Sequence, residues 1–282
     1  MDKISVIVAT RDRPEMVEEA LSSLLAQTTP ADEIIVADDS RGQSARHLAD
    51  KFPVRLVFTK AGGPAVARNA AVREAQYPWL AFCDDDDIWL PHRLAAQTKA
   101  MHPGIDLIYG DTVDSEGERE LGFHDTAEGA VFEKLLLDNW IVTSTVLLRR
   151  EAFDKAGGFE PDFCPAEDYR LWLKVCRQGR AVKINQPLAT YREHEGQLQT
   201  KIAPMFAATA KVIERTIADF GIAPRDVIGL TRRLRQLYFV QGRVSSAESD
   251  QAAARTAYLR AWTYERSYFK APLFWLLSFL NI

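Results

Sequence analysis

The sequence contains no apolar run long enough to cross a membrane. Its most apolar stretch, residues 271–282, is shorter than the roughly 20 apolar residues that a transmembrane helix needs. The apolar segment at residues 4–8 is too short for the core of a signal peptide and has no small-residue cleavage site after it. We therefore expect a cytoplasmic protein. The tail is expected to pack on the helices before it or on a second subunit in a homodimer, or to lie on the inner face of the membrane.

The sequence is also poor in cysteine and has no excess of basic residues. Its three cysteines, Cys83, Cys164 and Cys176, form no closely spaced pair and have no histidine cluster beside them, which argues against a zinc site and favours reduced thiols. The chain has 35 Lys and Arg residues and 39 Asp and Glu residues, a formal net charge of −4. General nucleic-acid-binding proteins usually carry a strong basic excess, so we expect no nucleic-acid partner.

The most informative feature that is present is a run of four aspartates, Asp84, Asp85, Asp86 and Asp87. Apolar residues lie on both sides of the run, at 79–83 and 88–90. This pattern places oxygen ligands at the end of a short buried strand, where open α/β sheets bind their ligands. Because neighbouring carboxylates repel one another, we expect Mg²⁺ or Mn²⁺ to hold them ionised together. A solvated acidic turn is the alternative.

Hydrophobic periodicity predicts alternating strands and helices over the first 200 residues. The predicted strands are residues 4–8, 33–37, 54–58, 79–83, 106–109 and 182–191, with a further β-rich segment at 142–148. The predicted helices are residues 16–25, 65–75, 94–101, 152–156 and 167–178. Residues 114–129 are predicted to form a loop or a small hairpin. This alternation is typical of an α/β fold with a mostly parallel sheet and a site along one edge of it.

The strand pattern ends near residue 197, and only helical patterns follow. Helices are predicted at residues 202–220, 224–240 and 247–265, with Gly221 and Gly242 as the breaks between them. This change predicts a main domain at residues 1–200 and a helical appendage at residues 201–282.

Six short motifs follow one another along the main domain. They are SVIVAT at 5–10, VADDS at 36–40, ARN at 67–69, FCDDDDIW at 82–89, GGF at 157–159 and EDYRLW at 167–172. Each motif alone is a weak signal, but six of them in this order are specific. In this order they resemble the family 2 glycosyltransferases of the GT-A fold, over about residues 3–200. The resemblance implies a Rossmann-like nucleotide-sugar-binding domain that transfers a sugar to an acceptor hydroxyl with inversion at the anomeric carbon.

The resemblance gives the aspartate run a role in metal binding. The leaving group of such a transfer is a nucleoside diphosphate, whose developing charge needs a Lewis acid. By position, Asp86 matches the direct metal ligand, whereas Asp84 and Asp85 match residues that reach the ribose or the sugar. Asp87 is expected to be structural. His194 matches a histidine that completes the metal shell or contacts the diphosphate, and a purely structural histidine is the alternative.

The resemblance also assigns residues to the nucleotide. Asp39 matches a carboxylate that accepts a hydrogen bond from the base, which suits the N3–H of uracil. Asp38 beside it is a further donor-binding candidate, although both residues could instead cap the next helix. Arg68 matches an arginine near the base and diphosphate, Thr10 is a further donor-binding candidate, and Ala9 stands where many relatives have a threonine. Arg11 stands where many relatives have an aromatic residue that stacks on the base, and this departure leaves thymidine and guanosine donors open beside the favoured UDP-sugar.

The last motif supplies the expected catalytic base. Asp168 matches the carboxylate that accepts the proton of the attacking acceptor hydroxyl. Glu167 is the neighbour that would serve if the match is shifted by one residue, and the alternative for both is a favourable position in the first turn of a helix. Arg192 is a further candidate for the diphosphate, since arginine pairs bidentately with phosphate oxygens.

The resemblance therefore implies a metal-dependent inverting glycosyltransferase. Its partners would be a nucleotide-diphosphate sugar and a saccharide or lipid-linked acceptor, in the assembly of a bacterial polysaccharide or glycoconjugate. A nucleotide-sugar-binding module without activity is one alternative. A sugar nucleotidyltransferase is the other, although residues 10–14 (TRDRP) lack the glycines that its phosphate loop usually has.

Overall fold

The structure is a computed structural model that describes residues 2–115, 120–121, 131–192 and 202–279. The chain divides into two compact units, and each is built from several segments. The first unit contains residues 1–132, 140–164 and 171–193, and the second contains residues 133–139, 165–170 and 194–282. The helical region after residue 200 thus forms the second unit together with two short segments from earlier in the chain.

Nine strands among the described residues form one sheet in the first unit. They are β1 (Ile4–Thr10), β2 (Glu33–Asp38), β3 (Arg55–Phe58), β4 (Trp79–Asp84), β5 (Ile88–Trp89), β6 (Leu107–Val113), β7 (Glu120–Leu121), β8 (Leu147–Arg149) and β9 (Ala181–Thr190). Their order across the sheet is β3-β2-β1-β4-β8-β6-β9-β5, with β7 paired to β6. The short β7 lies in the segment for which a loop or a hairpin was predicted.

The sheet is mixed. Strands β3, β2, β1 and β4 run parallel. The near-continuous apolar residues of β2, β1 and β4 are buried as expected for strands covered on both faces, whereas the edge strand β3 is only partly buried. Strand β8 is antiparallel to β4 and β6, whereas β6 and β9 are parallel. The predicted parallel arrangement therefore describes the first four strands, and the remainder of the sheet combines both directions.

Helices follow most of the strands and continue into the second unit. They are α1 (Pro14–Leu25), α2 (Leu48–Lys51), α3 (Pro64–Glu74), α4 (Arg93–Thr98), α5 (Val131–Leu135), α6 (Arg150–Ala156), α7 (Glu167–Gln178), α8 (Ile202–Asp219), α9 (Leu230–Ala247), α10 (Gln251–Tyr264) and α11 (Lys270–Leu277). Helices α1 and α3 begin with a proline, whose fixed φ suits the first turn. Helix α1 buries Val17, Leu21 and Leu24 in the core beside the sheet.

The prediction that Gly242 ends a helix is wrong. Gly242 is buried inside α9, where a Cβ atom would lie 2.6 Å from Cε1 of Tyr258 on α10. The glycine therefore allows the two helices to approach closely. Gly221, by contrast, lies just past the end of α8 with φ +63, so this predicted break is confirmed.

Two other segments differ from their predicted form. Residues 142–148 were expected to be β-rich, but Thr143–Thr145 forms a 3₁₀ turn and only Leu147–Arg149 pairs as β8. In the segment 224–240, Pro224–Asp226 forms a separate 3₁₀ turn, and the helix starts only at Leu230. The residue before it, Gly229, has φ +87, which interrupts a helix at this point.

Candidate active site

Three parallel strands end at the same edge of the sheet, each in a polar residue. Thr10 ends β1, Asp38 ends β2 and Asp84 ends β4. The strand register pairs Thr10 with Asp38 and Ala9 with Asp84, so the three ends lie side by side. Just past β4, the Oδ2 atom of Asp85 accepts a 2.7 Å hydrogen bond from the Thr10 hydroxyl. The first unit thus brings these predicted donor-binding residues to one edge.

The turn after β4, which we call the acidic turn (residues 84–87), brings three carboxylates together. One oxygen from each of Asp84, Asp86 and Asp87 lies within 4.8 Å of the other two. Asp87 is only 2% exposed, and its Oδ1 has no hydrogen-bond partner among the described residues. The hydroxyl of Ser144 donates to the Asp87 carboxylate and accepts a 2.9 Å hydrogen bond from the Asp84 N–H. A buried oxygen without a donor beside two other carboxylates fits Mg²⁺ or Mn²⁺.

Two arginines carry positive charge into the acidic turn. Arg13, just before α1, donates from Nη1 to Asp85 Oδ1 at 3.1 Å and to Asp86 Oδ2 at 2.9 Å. Arg68, which is buried on α3, lies 2.5 Å from Asp84 Oδ1. Three of the four carboxylates of the turn therefore have a guanidinium partner, and a cation that binds Asp84 or Asp86 would compete with these arginines.

Burial makes two of the four carboxylates difficult to ionise. Burial, with the neighbouring charge of Asp86, raises the pKa of Asp85 to about 6. Burial also raises the pKa of Asp87, and the charges of Asp84 and Asp86 act in the same direction. A cation bound at this turn would favour the ionised forms of these groups. The electrostatics of the turn therefore agree with the fit to a divalent metal.

A third arginine lies fully buried near the acidic turn. Arg93 donates to the carbonyl oxygens of Phe82 at 3.2 Å and Val146 at 3.0 Å, and its guanidinium lies 3.4 Å from the ring centroid of Trp89. Burial lowers its pKa to about 9, whereas the charge of Asp87 acts in the opposite direction. Arg93 thus ties β4 to the segment before β8 and places a buried positive charge near Asp87.

The two aspartates at the end of β2, Asp38 and Asp39, accept hydrogen bonds from backbone amides. Asp38 is fully buried and accepts hydrogen bonds from the N–H groups of Ser40 and Ala45, both at 2.9 Å. Asp39 accepts from the N–H groups of Gly62 at 2.9 Å and Gly63 at 2.8 Å. The hydroxyl of Thr59 also donates to Asp39. These bonds hold the loops after β2 and β3, and the predicted contacts of both aspartates with a nucleotide stay predictions.

The remaining candidates for binding the nucleotide sugar or the metal are Arg192, Arg11 and His194. Arg192 donates to the carbonyl oxygens of Asp85 and Asp86, so it stabilises the backbone of the acidic turn. It also pairs with Glu19. Arg11 is exposed on the loop after β1. His194, the second predicted metal ligand, lies outside the described residues.

Glu167 and Asp168 form the first turn of α7, in the second unit. Glu167 is buried and Asp168 is half-buried. Asp168 Oδ1 accepts a 2.6 Å hydrogen bond from the N–H of Tyr169, whose hydroxyl donates to the carbonyl oxygen of Leu135 at 2.6 Å. Carboxylates at the start of a helix are also favoured by its dipole. These contacts fix the first turn of α7 within the second unit.

Three residues of the site were not among the predicted site residues. Arg13 forms ion pairs in the acidic turn, Ser144 hydrogen-bonds to it, and Asp87, which was predicted to be structural, contributes the buried oxygen. The charge and position of Arg13 in the loop after β1 could have indicated its contact. Ser144 is far away along the chain, and no sequence pattern indicates its contact with the acidic turn.

A match to a protein-family model identifies the family of this chain. The model described as glycosyl transferase family 2 matches residues 5–159, which is more than half of the chain. The chain belongs to glycosyl transferase family 2. This membership confirms the resemblance seen in the six motifs and the expectation of a transferase enzyme.

Named relatives of this family 2 glycosyltransferase come from several bacteria. UDP-Glc:alpha-D-GlcNAc-diphosphoundecaprenol beta-1,3-glucosyltransferase WfgD of Escherichia coli is 29% identical over 187 residues, which cover 64% of this chain and 73% of WfgD. Putative teichuronic acid biosynthesis glycosyltransferase TuaG of Bacillus subtilis is 27% identical over 205 residues, which cover 67% of this chain and 78% of TuaG.

Solved structures confirm the fold of this family 2 glycosyltransferase. S. aureus TarS 1-349 in complex with UDP-GlcNAc superposes with a TM-score of 0.72 at 19% identity, covering 93% of this chain and 81% of TarS. Mannosyltransferase PcManGT from Pyrobaculum calidifontis, in complex with GDP-Man and Mn2+, superposes with a TM-score of 0.63 at 20% identity. The match covers 99% of this chain and 85% of PcManGT. The chain thus has a GT-A α/β fold followed by C-terminal helices.

Proposed function

We propose that this family 2 glycosyltransferase moves a sugar from a nucleotide-diphosphate sugar to an acceptor hydroxyl, with inversion, and uses Mn²⁺ or Mg²⁺. The observation that carries the proposal is the acidic turn, in which three carboxylates lie within 4.8 Å of one another. Asp86, Asp84 and Asp87 would hold the cation, and His194 stays a further candidate ligand. A bound divalent cation would act as a Lewis acid toward the departing diphosphate.

The donor in this proposal is a UDP-sugar. The name of WfgD specifies UDP-Glc, and TarS 1-349 was solved with UDP-GlcNAc. PcManGT was solved with GDP-Man and Mn2+, which supports use of a divalent metal and keeps a guanosine donor as the alternative. Asp39 would accept from the base, with Thr10, Arg11, Asp38, Arg68 and Arg192 around the nucleotide and diphosphate. Asp85, held by Thr10 and Arg13, would orient the ribose or the sugar.

The chemistry in this proposal needs one base. Asp168 would accept the proton of the acceptor hydroxyl as that oxygen forms the new glycosidic bond and the nucleoside diphosphate leaves. Glu167 is the alternative base, and its burial makes it the less accessible of the two carboxylates.

The acceptor in this proposal is a lipid-linked saccharide used in polysaccharide assembly. The name of WfgD specifies a diphosphoundecaprenol acceptor, and TuaG is named for teichuronic acid biosynthesis. An acceptor of this kind lies at a membrane, so we propose that the protein works in the cytoplasm, at the inner face of the membrane. Among the described residues, none of the helices is both long enough and apolar enough to span a bilayer.

Two single substitutions test the metal site and the base separately. Asp86→Asn should abolish Mn²⁺ binding, measured by calorimetry, and with it the transfer. Asp168→Asn should lower the rate of UDP release about 10²–10⁴-fold while Mn²⁺ and UDP still bind. Asp154→Asn, an exposed carboxylate on α6, is the matched control. Near-normal turnover of Asp168→Asn would make the base assignment wrong, and normal Mn²⁺ affinity of Asp86→Asn would make the metal assignment wrong.

The donor base is identified by a thermal-shift screen of UDP, GDP and dTDP with and without Mn²⁺. A shift that needs Mn²⁺ and occurs only with UDP supports the proposed donor. A shift confined to GDP would overturn the UDP assignment and leave the metal site intact.

A further inference from the structure

Helix α11 in the second unit is apolar on both of its faces. Its sequence, KAPLFWLL, contains one charged residue, at its first position. One face is anchored: Phe274 lies 5.4 Å from the ring of Phe239 on α9 and 5.7 Å from that of Tyr258 on α10, and Ala271 is fully buried. Surface helices usually carry polar residues on the face away from the core. The outward face of α11 is therefore unusual.

The exposed large apolar residues of α10 and α11 together define what we call the apolar face. Along α11 and its ends it contains Phe269, Leu273, Leu276 and Phe279, and Phe269 and Leu276 are 70% and 56% exposed. On α10 it contains the exposed Leu259 and Trp262, which lie one and two helical turns after Arg255. The guanidinium of Arg255 on α10 lies 4.5 Å from the ring of Phe279, which shows that the two helices lie side by side there. Large contiguous apolar surfaces of this kind mark interaction sites.

The charged residues of α10, α11 and the segment between them are mostly basic. Residues 251–282 contain four basic residues, Arg255, Arg260, Arg266 and Lys270, and a single acidic residue, Glu265. Glu265 forms a 2.7 Å ion pair with Arg235 on α9, so its charge is offset. Arg260, Arg266 and Lys270 are exposed, and Arg260 forms a 4.0 Å ion pair with Glu214 on α8. The rim of the face is thus basic, although the whole chain has a formal net charge of −4.

We propose that the apolar face binds the surface of a bilayer that contains anionic lipids. Exposed aromatic and leucine side chains beside arginine and lysine match the boundary between acyl chains and negatively charged headgroups. A second copy of the chain fits less well, because a twofold interface would bring two basic rims together. The inference deepens the proposed function, since it names the surface that would bring the enzyme to a lipid-linked acceptor.

The experiment is co-sedimentation of the full chain with vesicles of phosphatidylcholine alone or mixed with phosphatidylglycerol. We expect binding to the mixed vesicles that weakens as salt is raised. Leu273→Glu with Leu276→Glu should weaken binding at least tenfold, because both charges would enter the acyl boundary. Arg266→Gln with Lys270→Gln should weaken it on the order of tenfold, through the lost attraction to anionic headgroups.

The matched control is Ile228→Glu. Ile228 is 94% exposed but lies between the 3₁₀ turn at Pro224–Asp226 and α9, away from the apolar face along the chain, so this variant should bind vesicles like the unmodified protein. Equal losses for Ile228→Glu and the double glutamate variant would overturn the inference. So would absence of vesicle binding, or a dimer in solution that dissociates in the double glutamate variant and does not bind vesicles.

Donor turnover without vesicles separates this inference from the proposed function. Hydrolysis of the nucleotide sugar, measured as UDP release in solution, should be the same in the double glutamate variant and in the unmodified chain. If the unmodified chain binds vesicles but never releases UDP, the lipid-binding face stands and the proposed donor chemistry fails. If it releases UDP but ignores vesicles, the proposed chemistry stands and the lipid-binding face fails.

Discussion

At Asp85, burial opposes the charged form of the side chain. Its pKa is raised to about 6, mainly by burial, whereas an unfolded aspartate titrates near 4. The folded protein therefore binds the Asp85 proton more tightly than the unfolded chain. This stabilisation is complete below about pH 4 and is lost as the pH rises through 6.

We expect Asp85→Asn to stabilise the metal-free protein at pH 7.5. The gain should be on the order of 2 kcal/mol in the free energy of unfolding, because the amide cannot ionise, and should shrink toward zero near pH 4. Urea unfolding with a chelator present, repeated between pH 4 and 7.5, measures the difference. A gain that does not depend on pH would show that Asp85 titration is not its cause.

Arg13 is the residue most directly in competition with a metal. It donates to both Asp85 and Asp86, and these carboxylates raise its pKa although burial acts in the opposite direction. We expect Arg13→Gln to bind Mn²⁺ about tenfold more tightly, because a positive charge next to the cation is removed. Arg13→Lys, which keeps the charge, should stay near the original affinity.

Calorimetric titration of Mn²⁺ in the absence of nucleotide tests this prediction for Arg13. Arg73→Gln, an exposed arginine on α3, provides the same change in net charge without contact to the acidic turn. Weaker Mn²⁺ binding by Arg13→Gln would contradict competition and would indicate that Arg13 holds the carboxylates in place for the metal.

The sequence indicates which candidate site residues lie together where polar residues are concentrated in a motif. Asp84 and Asp86 stand in an unmistakable acidic run, and the strand register then brings Thr10 and Asp38 beside it. Ser144 could not be predicted, because its contact with Asp84 and Asp87 depends on how the segment before β8 packs against β4. The amide contacts of Asp39 likewise depend on the turn at Gly62 and Gly63, which folds back from the next strand.

At the scale of elements, Gly242 shows why a glycine alone does not locate a break. Inside α9 it costs helix propensity, and a sequence pattern records only this cost. In three dimensions Gly242 makes room for the ring of Tyr258, which is 1% exposed and packs on Phe239 and Phe274. Close helix packing of this kind depends on a residue on another helix, so periodicity within α9 could not indicate it.

We expect Gly242→Ala to destabilise the protein by about 1–3 kcal/mol, although alanine favours helices by about 1 kcal/mol over glycine. The new Cβ would lie 2.6–3.0 Å from three atoms of the Tyr258 ring, which has little room to move. A double-mutant cycle with Tyr258→Leu measures the clash itself. An equal loss in both backgrounds would contradict the proposed contact.

At the scale of the whole molecule, the acidic turn and the expected base belong to different compact units. The acidic turn lies in the first unit, whereas residues 165–170 belong with α8 to α11 in the second. The sequence pattern indicates a change near residue 197, but it could not show that the first turn of α7 packs with later helices. The predicted domain boundary at residue 200 therefore stays a prediction. The two compact units divide the chain differently, because the second unit also contains residues 133–139 and 165–170.

Arg170 couples the expected base to α8. Arg170 is 2% exposed, and its guanidinium donates to the Thr216 hydroxyl at 2.8 Å and pairs with Asp219. These contacts fix the helical turn that carries Asp168, within the second unit. Because small displacements of a catalytic group are costly, Arg170→Leu should lower transfer about 10–100-fold while the affinities for Mn²⁺ and UDP stay unchanged.

Arg215→Gln is the matched control for Arg170, because Arg215 pairs with the same Asp219 at 3.0 Å from an exposed position on α8. Steady-state kinetics, with calorimetry for Mn²⁺ and UDP, separates the two variants. Arg215→Gln should keep its transfer rate, since it leaves the buried contact with Thr216 in place. Equal rate losses in both variants would mean that the charge of Asp219, and not the position of the α7 turn, controls the activity of the base. A loss of UDP affinity in Arg170→Leu would mean that the second unit contributes to donor binding as well as to proton removal.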